Sequence, residues 1–200
     1  MHETLTKQEA FWRGKFGDKY IDRNKEASNR QNFFKMIFKK IKIKNVFEIG
    51  TNAGYNLDAI KLVNKKILTN GIELNKKAQQ ICIAKGHRVE NDSIINKLKN
   101  QNQFDLVFTS TVLIHINPKK LKNVYKKIDI LSKKYILINE YHSPYPTTVK
   151  YRGHKDVLFK RDFAYELQKK YNYKLVDYGF LWKHDNRNFF DNQNWFLFKK

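Results

Sequence analysis

The most specific chemistry in the chain lies in one turn, Glu48-Ile49-Gly50-Thr51-Asn52-Ala53-Gly54, which joins a strand-like run to a helix-like one. Glycines in such a turn let the backbone bend sharply and approach a ligand near a helix N-terminus. Asn52 stands where the dinucleotide pattern G-x-G-x-x-G needs its second glycine, and no Lys-Ser/Thr pair follows. A dinucleotide fingerprint and a P-loop are therefore both excluded. Taken alone, the turn is also compatible with an ordinary strand-to-helix connection. Two further acids favour a ligand. Glu73, followed by Leu74, ends the next strand about 20 residues beyond Gly54, where a carboxylate can accept both ribose hydroxyls. Asp92-Ser93 follow a third strand, His87–Glu90, within reach of a nucleobase. Acids on successive strand ends after a glycine turn describe a nucleoside site.

Such acids need a sheet to hold them, and the apolar pattern supplies one. Strands are expected at Asn45–Ile49, Ile72–Leu74, Phe104–Phe108 and Tyr135–Ile138. Helical spacing relates Phe33, Phe34, Ile37, Phe38 and Ile41, then Leu57, Ile60 and Val63, then Ala78, Ile81 and Cys82. Asn117 caps a helix that starts at Pro118 and carries Leu121, Val124, Ile128 and Leu131. Residues from Asp162 to Tyr171 follow as a helix, and strands at Leu175–Trp182 and Trp195–Phe198 close the chain as an antiparallel hairpin. Alternating strands and helices predict an α/β fold: a mostly parallel sheet covered on both faces, with ligands at the strands' carboxyl ends. With 200 residues, few glycines and prolines and no repeat, one domain is expected. Residues 1–44 form an aromatic helical lid and a helix, and residues 45–200 form the core.

Charge widens the field before it narrows it. Forty Lys and Arg against 19 Asp and Glu give a formal net charge of +21, which suits a polyanion. The basic residues fall in scattered pairs such as Lys65-Lys66 and Lys126-Lys127 rather than in one arm, so much of the excess is expected on solvated surfaces. Cys82 is the single cysteine, which excludes an internal disulfide and a cysteine-based zinc site. No apolar run approaches the roughly 20 residues of a membrane span, and a cytoplasmic, soluble protein is expected.

With these residues in view, the chain resembles class I S-adenosylmethionine-dependent methyltransferases: E-x-G-x-N-x-G, an acid ending the second strand, an acid after the third, and Phe104-Asp105-Leu106-Val107 on the fourth. Longer blocks resemble the methyltransferases associated with pseudaminic acid biosynthesis. They are Glu9–Asn24, Val112–Pro118, Tyr151-Arg152-Gly153-His154 and Leu158–Ala164. The resemblance implies a Rossmann-like, seven-stranded sheet, S-adenosylmethionine as cofactor, with no metal, and an acceptor among nonulosonic acids, surface-glycan sugars or their nucleotide-activated forms. It places Glu48 at the cofactor's amino group, Glu73 at the ribose and Asp92 with Ser93 at the adenine. Asn52, beside Gly50 and Gly54, lines the methionine end, and Thr109 closes the pocket.

Transfer is expected at a hydroxyl, with an amine as the alternative, and a hydroxyl acceptor calls for a base. His115 is the first candidate, against a merely hydrogen-bonded histidine. Glu140 is a base, a ligand of the acceptor hydroxyl or only a backbone anchor, and His154 is a second base. Tyr141, His142, Tyr151, Arg152 and Arg161 are expected to receive an anionic small-molecule acceptor, the alternative for the arginines being a solvated basic loop. Trp12, Phe16 and Tyr20 are expected to cover the cofactor, the alternative being that these N-terminal aromatics simply dock on the core, with Arg23-Asn24 at the cofactor's carboxylate or at the substrate. His2, His87 and His184 are expected to be incidental. An RNA methyltransferase ranks second, since the basic surface suits phosphates. However, Phe108-Thr109-Ser110-Thr111 lacks the (D/N)-P-P-(Y/F) tetrad of amino-methylating nucleic-acid enzymes. A non-catalytic cofactor-binding protein ranks third.

Overall fold

The computed structural model describes residues 5–23, 30–96, 103–187 and 190–200. Its strands are β1 (Asn45–Ile49), β2 (Leu68–Glu73), β3 (Arg88–Asn91), β4 (Phe104–Ser110), β5 (Ser132–Glu140), β6 (Thr147–Tyr151), β7 (His154–Lys160), β8 (Lys174–Leu181) and β9 (Gln193–Lys199). Seven of them form one sheet in the order β3-β2-β1-β4-β5-β9-β8. Pairing is parallel from β3 to β5 and antiparallel at β9 and β8. This is the expected architecture. The strand order reverses between β1 and β4, and a crevice opens at that point beyond the carboxyl ends.

Helices cover both faces because each has one apolar side. On one face α3 (Gln31–Phe38) and α4 (Tyr55–Val63) bury Phe33, Phe34, Ile37, Leu57 and Ile60 against Val46, Leu106 and Phe108. On the other, α6 (Leu121–Leu131) and α7 (Phe163–Tyr171) bury Val124, Ile128, Phe163 and Leu167 against Val107, Ile136 and Phe198. Capping fixes where several helices start. Asn75 accepts from Ala78 N at α5 (Lys76–Ala84), and Asp162 accepts from Tyr165 N at α7. Asn117 caps a single 3₁₀ turn, Pro118–Lys120, that leads into α6.

Three expectations change. The Tyr151–His154 loop is the tip of a hairpin, β6 paired with β7, that forms a separate two-stranded sheet. Its alternation is obscured in the sequence by an exposed, basic first strand. Most strands also extend further than their apolar runs, because polar residues such as Glu73, Asn139 and Glu140 are buried at their carboxyl ends. Finally, His87 is buried rather than incidental: Nδ1 lies 2.8 Å from Thr69 Oγ1 and Nε2 2.8 Å from Asp58 Oδ1, which ties α4 to β2. The N-terminal stretch forms two short helices, α1 (Lys7–Arg13) and α2 (Lys15–Arg23), joined at Gly14. A Thr6–Glu9 capping box starts α1.

Candidate active site

The crevice is an open cavity whose empty space, counting its open mouth, is about 1280 Å³. Its first half is built on the turn after β1. Gly50 takes φ +71°, and a side-chain carbon there would fall 2.5 Å from Val112 Cγ2, so this position has room only for glycine. Gly54, at φ +80°, faces Cys82 and His87 instead. It is a packing residue outside the cavity, and its expected ligand role is withdrawn.

Glu48 is buried at the cavity wall. Its Oε1 accepts from Asn56 Nδ2 at 2.6 Å, while Oε2 is buried without a partner. Burial raises its carboxyl to about 8, opposed by the Asn56 hydrogen bond and by Arg30. Arg30 also lines the cavity, donating Nη1 to Asn56 Oδ1 at 2.8 Å while its Nε is buried without a partner. Burial lowers its guanidinium from the usual arginine value, against the pull of Glu48. An unsatisfied buried polar atom costs about 1–3 kcal/mol. A site that leaves one carboxylate oxygen and one guanidinium N–H vacant, bridged by one asparagine, is complementary to an α-amino acid with its ammonium and carboxylate.

The neighbouring strand ends complete this half. Glu73 accepts Asn52 N at Oε2 and Asn75 N at Oε1, both at 2.7 Å, so each oxygen keeps lone-pair capacity for a hydroxyl. Burial raises its carboxyl above the ordinary glutamate value. Asp92 Oδ1 accepts from Ser93 N at 2.7 Å and Asn96 Nδ2 at 2.6 Å, which shapes the loop after β3. Asn52, Leu74, Asp92 and Ser93 line the cavity as expected, together with Tyr55 and Asn75, which the sequence did not single out.

The second half is aromatic. Trp12, Tyr20, His115, Tyr141 and Tyr151 line it. The Trp12 ring lies 5.1 Å from Tyr20 and 4.5 Å from His115, centroid to centroid, and its indole N–H is buried without a partner. His115 Nδ1 lies 2.6 Å from the Val157 carbonyl oxygen on β7. A carbonyl only accepts, so Nδ1 carries the proton and the neutral ring presents Nε2 as an acceptor. Burial lowers this histidine to about 4, so it stays neutral at physiological pH.

Other expected site residues fall elsewhere. Glu140 is buried and accepts from Val112 N, Leu113 N and Ile114 N at 3.0, 3.1 and 3.4 Å. It anchors the turn after β4 and does not line the cavity, so its catalytic role is withdrawn. Burial raises it to about 7. Thr109 is fully buried and does not line the cavity; Ser110, the last residue of β4, and Thr111, which follows it at φ +55°, line it instead. Phe16 packs on Phe11 and Trp12, and exposed His154 packs on Phe11 and Phe16; neither lines the cavity. His142 lies 3.4 Å from Asp162, Arg161 donates to Glu166 at 2.7 Å, and Arg152 sits exposed at the hairpin tip at φ +47°. The roles placed on the Arg23 side chain and on Asn24 lie outside the described residues. Among the described residues no group of His, Cys, Asp and Glu could hold a metal ion, and no helix is long and apolar enough to cross a membrane.

The family model described as "Methionine biosynthesis protein MetW" matches residues 30–138. Among solved structures, the chain is similar to 1,6-didemethyltoxoflavin-N1-methyltransferase of Burkholderia thailandensis, at 13% identity and TM-score 0.70, covering 100% of this chain and 93% of that one. It is also similar to the magnesium protoporphyrin IX methyltransferase of Synechocystis PCC 6803, at 10% identity and TM-score 0.64, with 100% of both chains covered. A third is the N-methyltransferase NodS of Bradyrhizobium japonicum WM9, at 11% identity and TM-score 0.63, covering 92% of this chain and 98% of that one. At these identities the likeness is one of fold. Comparison of the sequence with curated proteins gives no match.

Proposed function

The chain belongs to the MetW family of methionine biosynthesis proteins, matched over residues 30–138, and from that premise we propose that it is an S-adenosylmethionine-dependent methyltransferase acting on a small molecule. One observation carries the reading. At the turn after β1, the cavity leaves Glu48 Oε2 and Arg30 Nε buried and unpaired across Asn56. That pair fits the amino acid end of the cofactor. Glu73 fits its ribose, and Asp92 with Ser93 its adenine. The cofactor, when bound, would supply an electrophilic methyl group on a positively charged sulfur.

The chain's own contribution is mostly placement. Holding an acceptor in line is worth up to about 7–11 kcal/mol in favourable cases, and the Trp12, Tyr20 and Tyr151 rings both shape the acceptor half and exclude water. His115 Nε2 is positioned to accept a proton from the reacting group, with Val157 fixing its tautomer. Removing it should lower turnover by roughly 10²–10⁴ if it acts as a base.

A nonulosonic acid acceptor rests on the sequence blocks quoted above, most of which fall outside residues 30–138. The geometry gives that finer assignment no added support, because Arg152 and Arg161 do not line the cavity. Calorimetric titration with S-adenosylhomocysteine tests the central proposal. Saturable 1:1 binding that is lost in Glu48→Ala is expected. Absence of binding to the wild-type chain overturns it.

A further inference from the structure

The acceptor half also contains a carboxylate that the methyl-transfer reading does not use. Glu9 lines the cavity and is 6% exposed. Its Oε2 accepts both Thr6 N and Thr6 Oγ1 at 2.8 Å, the usual work of a capping-box glutamate. Nothing in that work requires the residue to face a ligand cavity. Its neighbour Gln8 shows which half it occupies. Gln8 donates to the Asp156 carbonyl of β7 at 2.7 Å and accepts from Asn117 Nδ2 at 3.1 Å, so this turn of α1 is held against the hairpin and the segment after β4, on the His115 side.

Most of the surroundings favour a donor or a cation, although the Trp12 indole N–H is itself a buried donor without a partner and the Arg152 guanidinium lies 5.9 Å over the Tyr151 ring. Rings attract positive charge, by about 0.5–2 kcal/mol depending on desolvation. Trp12 and Tyr151 approach His115 to 4.5 and 5.3 Å, and His115 presents a bare nitrogen. Arg30 lines the same cavity but is bonded to Asn56 beside Glu48, in the other half.

We propose that this half of the cavity takes its acceptor by a protonated amine, held by Glu9 and the rings of Trp12, Tyr20 and Tyr151. The amine is a recognition handle, separate from the atom that receives the methyl group. The assignment builds on the methyltransferase reading and names its substrate class: a small molecule with an amino group on or near a flat apolar body, rather than a carboxylated sugar.

A matched pair of ligands tests this without turnover. Phenethylamine and 3-phenylpropionate have similar bodies and opposite charges. Calorimetry on the full chain should show the amine binding at least about tenfold tighter than the acid. Glu9→Gln preserves the capping box, because glutamine serves there as glutamate does, so the fold is kept and only the charge is lost. In that variant the preference should disappear while S-adenosylhomocysteine binds as before. Equal binding of the two probes by the wild type, or a preference that survives Glu9→Gln, overturns the proposal. So does a Glu9→Gln variant that loses only its discrimination of S-adenosylmethionine from S-adenosylhomocysteine, since Glu9 would then serve the sulfonium. Failure of S-adenosylhomocysteine to bind the wild type overturns the methyltransferase reading instead, and the probe pair still decides whether the amine subsite exists.

Discussion

The two halves of the cavity are built on different principles. The half at β1, β2 and β3 is polar: three acids at consecutive strand ends are bonded to amides, Glu48 to the Asn56 side chain just past the glycine turn, Glu73 to Asn52 N in that turn and to Asn75 N, and Asp92 to Ser93 N beside it. The half beyond β4 and β5 is aromatic and assembled from distant segments, with α1, the turn after β4 and the hairpin meeting through Gln8, His115 and Val157. The first arrangement fixes charged groups to a rigid sheet and suits a ligand of constant structure. The second depends on side chains borne by short helices and a hairpin, elements that can be re-cut without disturbing the sheet. Invariant chemistry belongs to the sheet, and acceptor choice belongs to what is laid over it.

The sharpest test of that division is Glu48→Ala. It removes the unpaired carboxylate and strands Asn56 and Arg30, so S-adenosylhomocysteine affinity should fall about 100-fold, roughly 2.7 kcal/mol. His115→Ala, in the other half, should change the same dissociation constant less than about threefold. Comparable losses in both variants would show that the halves do not act separately.

A smaller effect follows from protonation. Folded Glu48 holds its proton up to about pH 8, whereas an unfolded glutamate loses it near 4.5. Between those values the folded chain binds the extra proton, so this residue makes stability fall as pH rises. Glu140, raised to about 7, adds to the same trend. His115, lowered to about 4, acts in the opposite sense: stability rises with pH between about 4 and 6.5. A ligand ammonium favours ionised Glu48, so binding of S-adenosylhomocysteine should release a proton below pH 8. Affinity should then rise with pH by up to about tenfold per unit. Calorimetry at pH 6.5 and 7.5 in buffers of different ionisation heat measures both quantities, and Glu48→Gln should flatten the slope.

The same division explains what was legible in the sequence. The mostly parallel sheet, its order of elements and Glu48, Asn52, Glu73, Asp92 and Ser93 could all be placed from short-range pattern, because strand, turn and acid lie adjacent in the chain. Arg30 could not, since it reaches Glu48 only through Asn56 and the packing of α3 on α4. Thr109 was misplaced by one residue, which in a strand moves a side chain to the opposite face. By position His115 came first and Glu140 after it as candidate bases. Only the three amides around Glu140 and the single carbonyl at His115 tell an anchor from an available acceptor. Aromatic residues near the N-terminus pointed to a lid, but helical packing, not type, decided that Trp12 and Tyr20 line the cavity and Phe16 does not.

One support of the polar half was invisible for the same reason. Lys127 on α6 is 7% exposed, and its ammonium donates to the carbonyls of Ile94 and Ile95 at 2.6 and 2.5 Å and to that of Asn96. These carbonyls belong to the loop that carries Asp92 and Ser93. Lys127→Met should loosen the loop and weaken adenosine and S-adenosylhomocysteine by the same factor, about 5–10-fold. If only S-adenosylhomocysteine weakens, the lysine does not act through the adenine end.

The smallest expected effect bears on charge. Arg152 projects from the hairpin tip into solvent, and a side-chain carbon added at its neighbour Gly153 would meet nothing within 4 Å. Arg161 is engaged by Glu166 on α7. A net charge of +21 made both attractive as receivers of an anionic acceptor, but long-range attraction is screened beyond roughly 8–10 Å in physiological salt. Specific recognition therefore requires contact, and neither arginine lines the cavity, although the Arg152 guanidinium lies 5.9 Å over the ring of Tyr151, which does. Arg152→Ala should change the affinity for S-adenosylhomocysteine, phenethylamine and 3-phenylpropionate by less than about twofold. A selective loss of 3-phenylpropionate binding would mean that the hairpin tip folds over the acceptor half and that its charge helps select the ligand. With no such loss, the charges that select ligands are those buried in the cavity wall, whatever the sign of the surface around them.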